Sequence, residues 1–222
     1  MKNRSNYFDV DVPDGFIIFI SGVPGVGKTT ISYELLKRYN QFRIIEETDL
    51  IREVLRGYNE FLQDSFGSDV AVIFNKIAIT DHTKLLSLEE AKEQCMYMKN
   101  SFEQIIARQQ RKGISSIING VHIIPEVLNG LAGNRNIIYI NLYIDNAQKI
   151  YERIVKRNPT SYMLDHIPFI YQTNRDLYFS TQKLTNQTSY VFNIDVTDLN
   201  IDETIEKIIT CIAMRVDSTE LK

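Results

Sequence analysis

The chain has 222 residues, with 25 Lys and Arg against 28 Asp and Glu and a net charge of −3. That length suits one well-buried α/β domain rather than two, and the mildly acidic balance excludes a general attraction to nucleic acid or to an anionic membrane surface. No apolar run approaches the ~20 residues of a membrane helix, and the two cysteines, Cys95 and Cys211, lack metal-type spacing.

Residues 1–14 are polar, carry no apolar stretch of signal-sequence type, and read as a lead-in closed by the turn signal Pro13-Asp14-Gly15. Residues 15–222 read as a single domain of a cytoplasmic protein whose thiols are free and buried. Phe16–Ile20 is a short run of β-branched and aromatic residues that suits a buried strand. The segment Gly22-Val23-Pro24-Gly25-Val26-Gly27-Lys28-Thr29 follows and fits the phosphate-binding pattern G-x-x-x-x-G-K-[ST]. Thr30–Arg38 then opens a helix with Ile31 and Leu35 inward.

That layout has a chemical reason. The glycines let the backbone turn sharply, so that successive N–H groups converge on phosphate oxygens, and the helix that follows adds its positive end. Lys28 is expected to reach the β- and γ-phosphates of ATP, and the Thr29 hydroxyl to ligate Mg2+. Gly22, Pro24, Gly25, Val26, Gly27 and Thr30 complete the expected nucleotide cradle.

Gln41–Glu46 reads as a second strand, followed by a helix over Leu50–Arg56 that Gly57 stops, with Thr48 or Asp49 at its cap. Residues 57–87 read as a helical insertion on the acceptor side, with an amphipathic helix over Val70–Ile79. Leu88–Lys112 is the longest helical stretch, closed by Gly113, with Met96, Tyr97 and Met98 as core filler. A third strand (Ile114–Asn119), a helical Pro125–Leu131, a fourth strand (Asn136–Ile144) and an amphipathic helix (Asp145–Arg157) come next. After a break at Asn158-Pro159, a helix over Ile167–Thr188, a strand over Val191–Ile194 and a closing helix over Ile201–Val216 complete the chain. The alternation predicts an α/β fold of the P-loop NTPase type: a five-stranded parallel sheet with helices on both faces. Ligands sit beyond the carboxyl ends of such strands, where the candidate residues fall.

Asp49 follows the second strand directly. A carboxylate there can take the proton of an attacking hydroxyl, or hold that hydroxyl in line with the γ-phosphate. Arg52, three residues on, lies on the same side of the helix and can meet an anionic acceptor bidentately; the plainer reading is a helix cap beside solvated arginines. His122, beyond the third strand, either hydrogen-bonds an acceptor phosphate or packs in its loop. His82 and His166 have no partners at ligand spacing. Arg153 and Arg157 lie one turn apart at the start of an expected lid over 153–166, where an arginine would stabilise charge in transfer or merely form a charged solvent face.

The strings GVPGVGKTTIS, TDLIREVLR and IINGVHIIPE together resemble 2-phosphoglycerate kinase and its bacterial relatives, over most of residues 16–210. A weaker likeness runs through Ile170–Asp195, with Asn174-Arg175 in a helix and Phe192-Asn193 in a late strand. The resemblance implies transfer of the ATP γ-phosphoryl group to a hydroxyl of a small phosphorylated acid, giving 2,3-bisphosphoglycerate, and more broadly to a small anionic metabolite. It also implies that Lys28 and Thr29 handle ATP and magnesium, that Asp49 orients or deprotonates the acceptor, and that Arg52, Arg56 and Arg175 contact anionic groups. Three departures stand out. An acidic residue usual before Gly-Val-His is Asn119 here, an Arg-Tyr pair is replaced by Ser161-Tyr162, and 14 leading residues leave no room for an N-terminal nucleotide-binding module. Asn119 and Ser161 motivate an alternative, an ATP-binding regulatory protein with little transfer. A kinase of a nucleoside, a sugar nucleotide or another acceptor is a third reading.

Overall fold

Five strands form one parallel sheet: β1 (Ile17–Ser21), β2 (Phe42–Glu47), β3 (Ser115–Asn119), β4 (Ile137–Tyr143) and β5 (Val191–Asp195), in the order β2-β3-β1-β4-β5. The computed structural model describes residues 11–66, 85–131 and 135–220. The central strands are buried on both faces, which explains why they read as unbroken apolar runs instead of alternating ones.

Helices α1 (Lys28–Arg38), α5 (Ala147–Arg157) and α7 (Ile201–Glu220) cover one face, packing Ile31, Leu35, Ile150, Ile154 and Ile208 on Ile18, Ile20, Ile138 and Ile140. The other face carries α3 (Leu88–Arg111) and the short α4 (Pro125–Leu128). Here Phe19 stacks on Tyr139 with ring centroids 4.8 Å apart and meets Phe102 edge-on, contacts that add to simple burial. Helix α6 (Ile167–Thr185) packs Leu177 on this second face and is joined to α5 through a 3-10 turn, Tyr162–His166.

Two sequence expectations need correction. The helix after β2 does not stop at Gly57: α2 runs Thr48–Phe66. A mid-helix glycine costs only about 1 kcal/mol, and the apolar side begun by Ile51 and Leu55, which pack against the second core, continues to the buried Asn59. In α3 the inward positions are Ala91, Cys95, Met98, Phe102 and Ile106, so Met98 is core while Met96 is 63% exposed. Of the expected insertion, 57–66 is helix; the helix placed over Val70–Ile79 lies outside the described residues.

The sheet register sets the site. Glu47 pairs with Asn119, Asn119 with Ile20, and Ser21 with Asn141. The carboxyl ends of four strands therefore finish level, and the segments that follow them (Thr48-Asp49, Gly120–His122 and the phosphate loop) emerge side by side. β1, in the middle, lies where the chain order turns from one side of the sheet to the other.

Candidate active site

The loop after β1 turns through Gly22, Gly25 and Gly27, all at positive φ. At Gly22 nothing larger fits, because a Cβ would stand 2.5 Å from the Leu142 carbonyl oxygen of the neighbouring strand. Gly27 is the N-cap of α1 and offers no side chain to satisfy the first-turn N–H groups. Those amides and the helix dipole point into a groove of about 1000 Å³ between the loop, α5 and the β5–α7 connection. Thr29 and Thr30 lie exposed on its wall.

Lys28 also lines this groove, and its Nζ donates to the Val23 carbonyl at 3.0 Å. Among the described residues it makes no ion pair. Burial pushes its ammonium down to about 8, against the pull of Asp49 and Glu47 and with a push from Arg157. A half-buried cation with no ion-pair partner among the described residues, beside uncapped amides, is a site built for an anion, so the residues fit ATP phosphates. Magnesium bound with phosphates needs only one or two protein oxygens. The Thr29 hydroxyl, with the Glu47 carboxylate near enough to pull on Lys28, fits that need.

On the opposite side of the loop, Asp49 and Arg52 of α2 line a second cavity with Gly22, Val23 and Pro24. Asp49 stands in the first turn of α2 with its side chain 64% exposed, and Arg52 is buried. The Arg52 guanidinium meets the Glu53 carboxylate at 3.0 Å and lies 4.0 Å from Asp49; Glu53 also holds Arg56 at 2.8 Å.

Beneath them, Thr48 and His122 are completely buried, with Thr48 Oγ1 and His122 Nδ1 2.9 Å apart and the Asp49 carboxylate 3.7 Å from the same nitrogen. Burial drives the imidazole down to about 4, opposed by Asp49 and reinforced by Arg52 and Lys28, so it is neutral near pH 7. The contact depends on Gly120: a Cβ there would fall 1.7 Å from Thr48 Oγ1. His122 lies wholly buried beneath Thr48 and Asp49 and is not among the described residues that line the cavity.

The structure brings together the loop, Lys28, Asp49 and Arg52, with Arg153 and Arg157 on the wall of the nucleotide groove, while Arg56 and Arg175 fall elsewhere. Arg56 stays on the outer turn of α2 with Glu53. Arg175 is exposed on α6 and sits over the Phe179 ring, 5.7 Å from its centroid, while Phe169, Ile170, Thr173 and Leu177 are the described α6 residues that reach the cavity. Arg153 is half-buried and donates to the Val26 carbonyl at 3.2 Å, to Val196 and to Thr197 at 3.4 Å. It braces the loop against the β5–α7 connection from the wall of the groove. Arg157, one turn on, is exposed at the mouth of the groove.

Asn119 has a direct explanation. Its Nδ2 donates to Ser32 Oγ at 3.0 Å, and that hydroxyl donates to the Lys28 carbonyl at 2.9 Å. A carboxylate could not donate into this chain, which anchors the first turn of α1 to the sheet. Sequence reasoning missed Glu47, whose signal was the Glu-Thr-Asp spacing placing two carboxylates on either side of a residue that turns inward. It also undervalued Asn174, whose amide bonds both the N–H and the carbonyl of Ile144 and fixes α6 to the end of β4.

A parallel sheet in this order, with a glycine-rich phosphate loop after its central strand and a separate cavity beyond the loop, is the P-loop NTPase fold of the small-molecule kinase type. The family model described as AAA domain matches residues 18–165, and the chain belongs to that family. It is 28% identical over 200 residues to a 2-phosphoglycerate kinase of Pyrococcus horikoshii, covering 86% of this chain and 62% of that one; it thus spans less than two thirds of that relative's length. It is 27% identical over 143 residues to a mevalonate-3-phosphate 5-kinase of Thermoplasma acidophilum, covering 64% and 67%. A gluconokinase from Sinorhizobium meliloti superposes with a TM-score of 0.58 at 11% identity, covering 94% of this chain and 98% of that one, a likeness of fold alone.

Proposed function

We propose that this chain is an ATP-dependent phosphotransferase that moves the γ-phosphoryl group to a hydroxyl of a small anionic metabolite. One observation carries the reading: the phosphate loop is the partition between two cavities, with Pro24 lining both. A nucleotide on one side and an acceptor on the other would face each other across the loop's rim, as an in-line displacement needs.

In the proposed reaction the acceptor hydroxyl gives its proton to the Asp49 carboxylate as its oxygen bonds the γ-phosphorus. The bond from that phosphorus to the bridging oxygen breaks, and its electron pair leaves on ADP. Magnesium held by Thr29 and Glu47 would supply charge neutralisation at the phosphates. Lys28 and the loop amides hold those phosphates, Arg157 adds positive charge at the mouth of the groove, and Arg52 holds the acceptor's anion once Glu53 turns wholly to Arg56. The relatives named for 2-phosphoglycerate and for mevalonate 3-phosphate support an acceptor of this general class. Asn119, one of the two departures behind the reading of a nucleotide-holding protein without transfer, serves the fold of α1.

The test is ADP formation by the purified chain with ATP and magnesium, with and without a panel of hydroxy acids and phosphorylated alcohols. Acceptor-dependent turnover is expected to fall by about 10²–10⁴ in Asp49→Asn, the usual worth of a positioned acid or base. Turnover that survives both Asp49→Asn and Lys28→Ala would refute the assignment.

A further inference from the structure

The sheet register that lines up the site also buries a histidine beneath it. Glu47 pairs with Asn119 where β2 and β3 end, so Thr48-Asp49 and Gly120–His122 leave the sheet as neighbours. The packing between them has no slack, since a Cβ on Gly120 would fall 1.7 Å from Thr48 Oγ1. That hydroxyl lies 2.9 Å from His122 Nδ1, and both residues are wholly buried. The contact joins residues 74 apart in the chain and anchors the one directly before Asp49.

A second contact reaches Asp49 itself. His122 Nδ1 lies 3.7 Å from Asp49 Oδ1, and Arg52 Nη1 lies 4.0 Å from the same oxygen. Neither distance is that of a hydrogen bond; both are electrostatic contacts that favour one setting of the carboxylate. They also decide the tautomer. The ring is neutral near pH 7, so one of its two nitrogens carries the proton. A lone pair on Nδ1 would face the carboxylate, whereas an N–H there donates to Thr48 and attracts Asp49 at once. Asp49 lines the acceptor-side cavity with its side chain 64% exposed. A carboxylate so placed is free to sample several rotamers unless its backbone and one oxygen are held from beneath.

We propose that His122 is a positioning residue for phosphoryl transfer: through an Nδ1–H that faces both Thr48 and Asp49 it holds Oδ1, and so presents the other carboxylate oxygen to the acceptor hydroxyl. The part played in transfer rests on the phosphotransfer reading above; the proton on Nδ1 and its hold on Asp49 rest on the packing alone. A reacting group misplaced by about 1 Å loses about 10²-fold in rate, which is the effect expected of the contact.

The experiment compares the full chain with His122→Leu, His122→Asn and Thr48→Val. Leucine is of similar size and donates nothing, while the asparagine amide carries N–H on the atom that corresponds to Nδ1. Turnover is measured with ATP and magnesium, using 2-phosphoglycerate and mevalonate 3-phosphate as acceptors. His122→Leu should lower kcat by about 10²-fold with the KM for ATP and for acceptor within about threefold of the parent. His122→Asn should recover most of kcat. Thr48→Val should fall as His122→Leu does, and the double variant should fall no further. Long-range nitrogen–proton spectra of the imidazoles need no turnover, with His122 assigned by its loss in His122→Leu. They should show Nδ1–H at pH 7 and a shift of that nitrogen in Asp49→Asn. That tautomer and shift in a parent inactive with both acceptors would count against the phosphotransfer reading while upholding the hold on Asp49. A bare Nδ1, an unchanged kcat in His122→Leu, a raised acceptor KM there (a ligand contact instead), or His122→Asn no better than His122→Leu would overturn the inference.

Discussion

Lys28 ties nucleotide binding to pH. Burial lowers its ammonium from an ordinary 10.5 to about 8. The unfolded chain then holds one proton more than the folded chain between pH 8 and 10.5, so the stability of the empty protein rises with pH across that window, by on the order of 3 kcal/mol. Bound phosphates reverse the balance, because three or four negative oxygens favour the charged lysine. At pH 8 about half of the empty chains carry a neutral Lys28, and at pH 9 about nine in ten. Binding of magnesium–ATP should therefore take up about 0.5 proton at pH 8 and about 0.9 at pH 9, and the Kd should rise about tenfold from pH 7 to pH 9. Titration calorimetry at pH 8 in two buffers of different ionisation enthalpy reads the uptake directly. Lys28→Met should bind more weakly, lose the buffer dependence, and melt at higher temperature than the parent at pH 7 when empty. No buffer-dependent heat at pH 8, or the same pH slope in Lys28→Met, would refute the reasoning.

Gly120→Ala places a methyl on the Thr48 side chain. It should cost about 3 kcal/mol through overpacking and backbone strain, a loss of roughly 6–12 °C in Tm for a chain of this size. Thr48→Ala should relieve part of that loss in the double variant, and additive effects in thermal melts would count against the contact. Arg153→Ala removes three hydrogen bonds to carbonyls from one charged fork. A drop of about 2 kcal/mol is expected, with weaker ATP binding by calorimetry and no rescue by Arg153→Lys, which lacks the fork. Asp49→Asn, at an exposed side chain, should leave the melting temperature within about 0.5 kcal/mol of the parent's stability while turnover collapses; a large loss of stability would make Asp49 a structural cap.

The strands and the phosphate loop were legible because their causes are local. Buried parallel strands need unbroken apolar runs such as Phe16–Ile20, and the loop needs glycines at fixed offsets before Lys28. Asp49 and Arg52 were legible as neighbours because three residues make one helical turn. Gly57 misled because a propensity of about 1 kcal/mol is set against the packing of a whole helical face. Met96 misled because composition does not say which way a helix is rotated.

What the sequence determined by itself was the identity of the nucleotide cradle and the side of the sheet on which chemistry could occur. The tertiary structure decided which charges face which cavity. Only packing across the sheet puts His122 under Asp49, turns Arg175 outward, binds Arg153 to three carbonyls, and leaves Arg52 as the cation that lines the acceptor side among the described residues. Those outcomes depend on contacts between residues far apart in the chain, such as Thr48 with His122 and Arg153 with Val196, and on burial, which changes what a charge costs and which partners it must find.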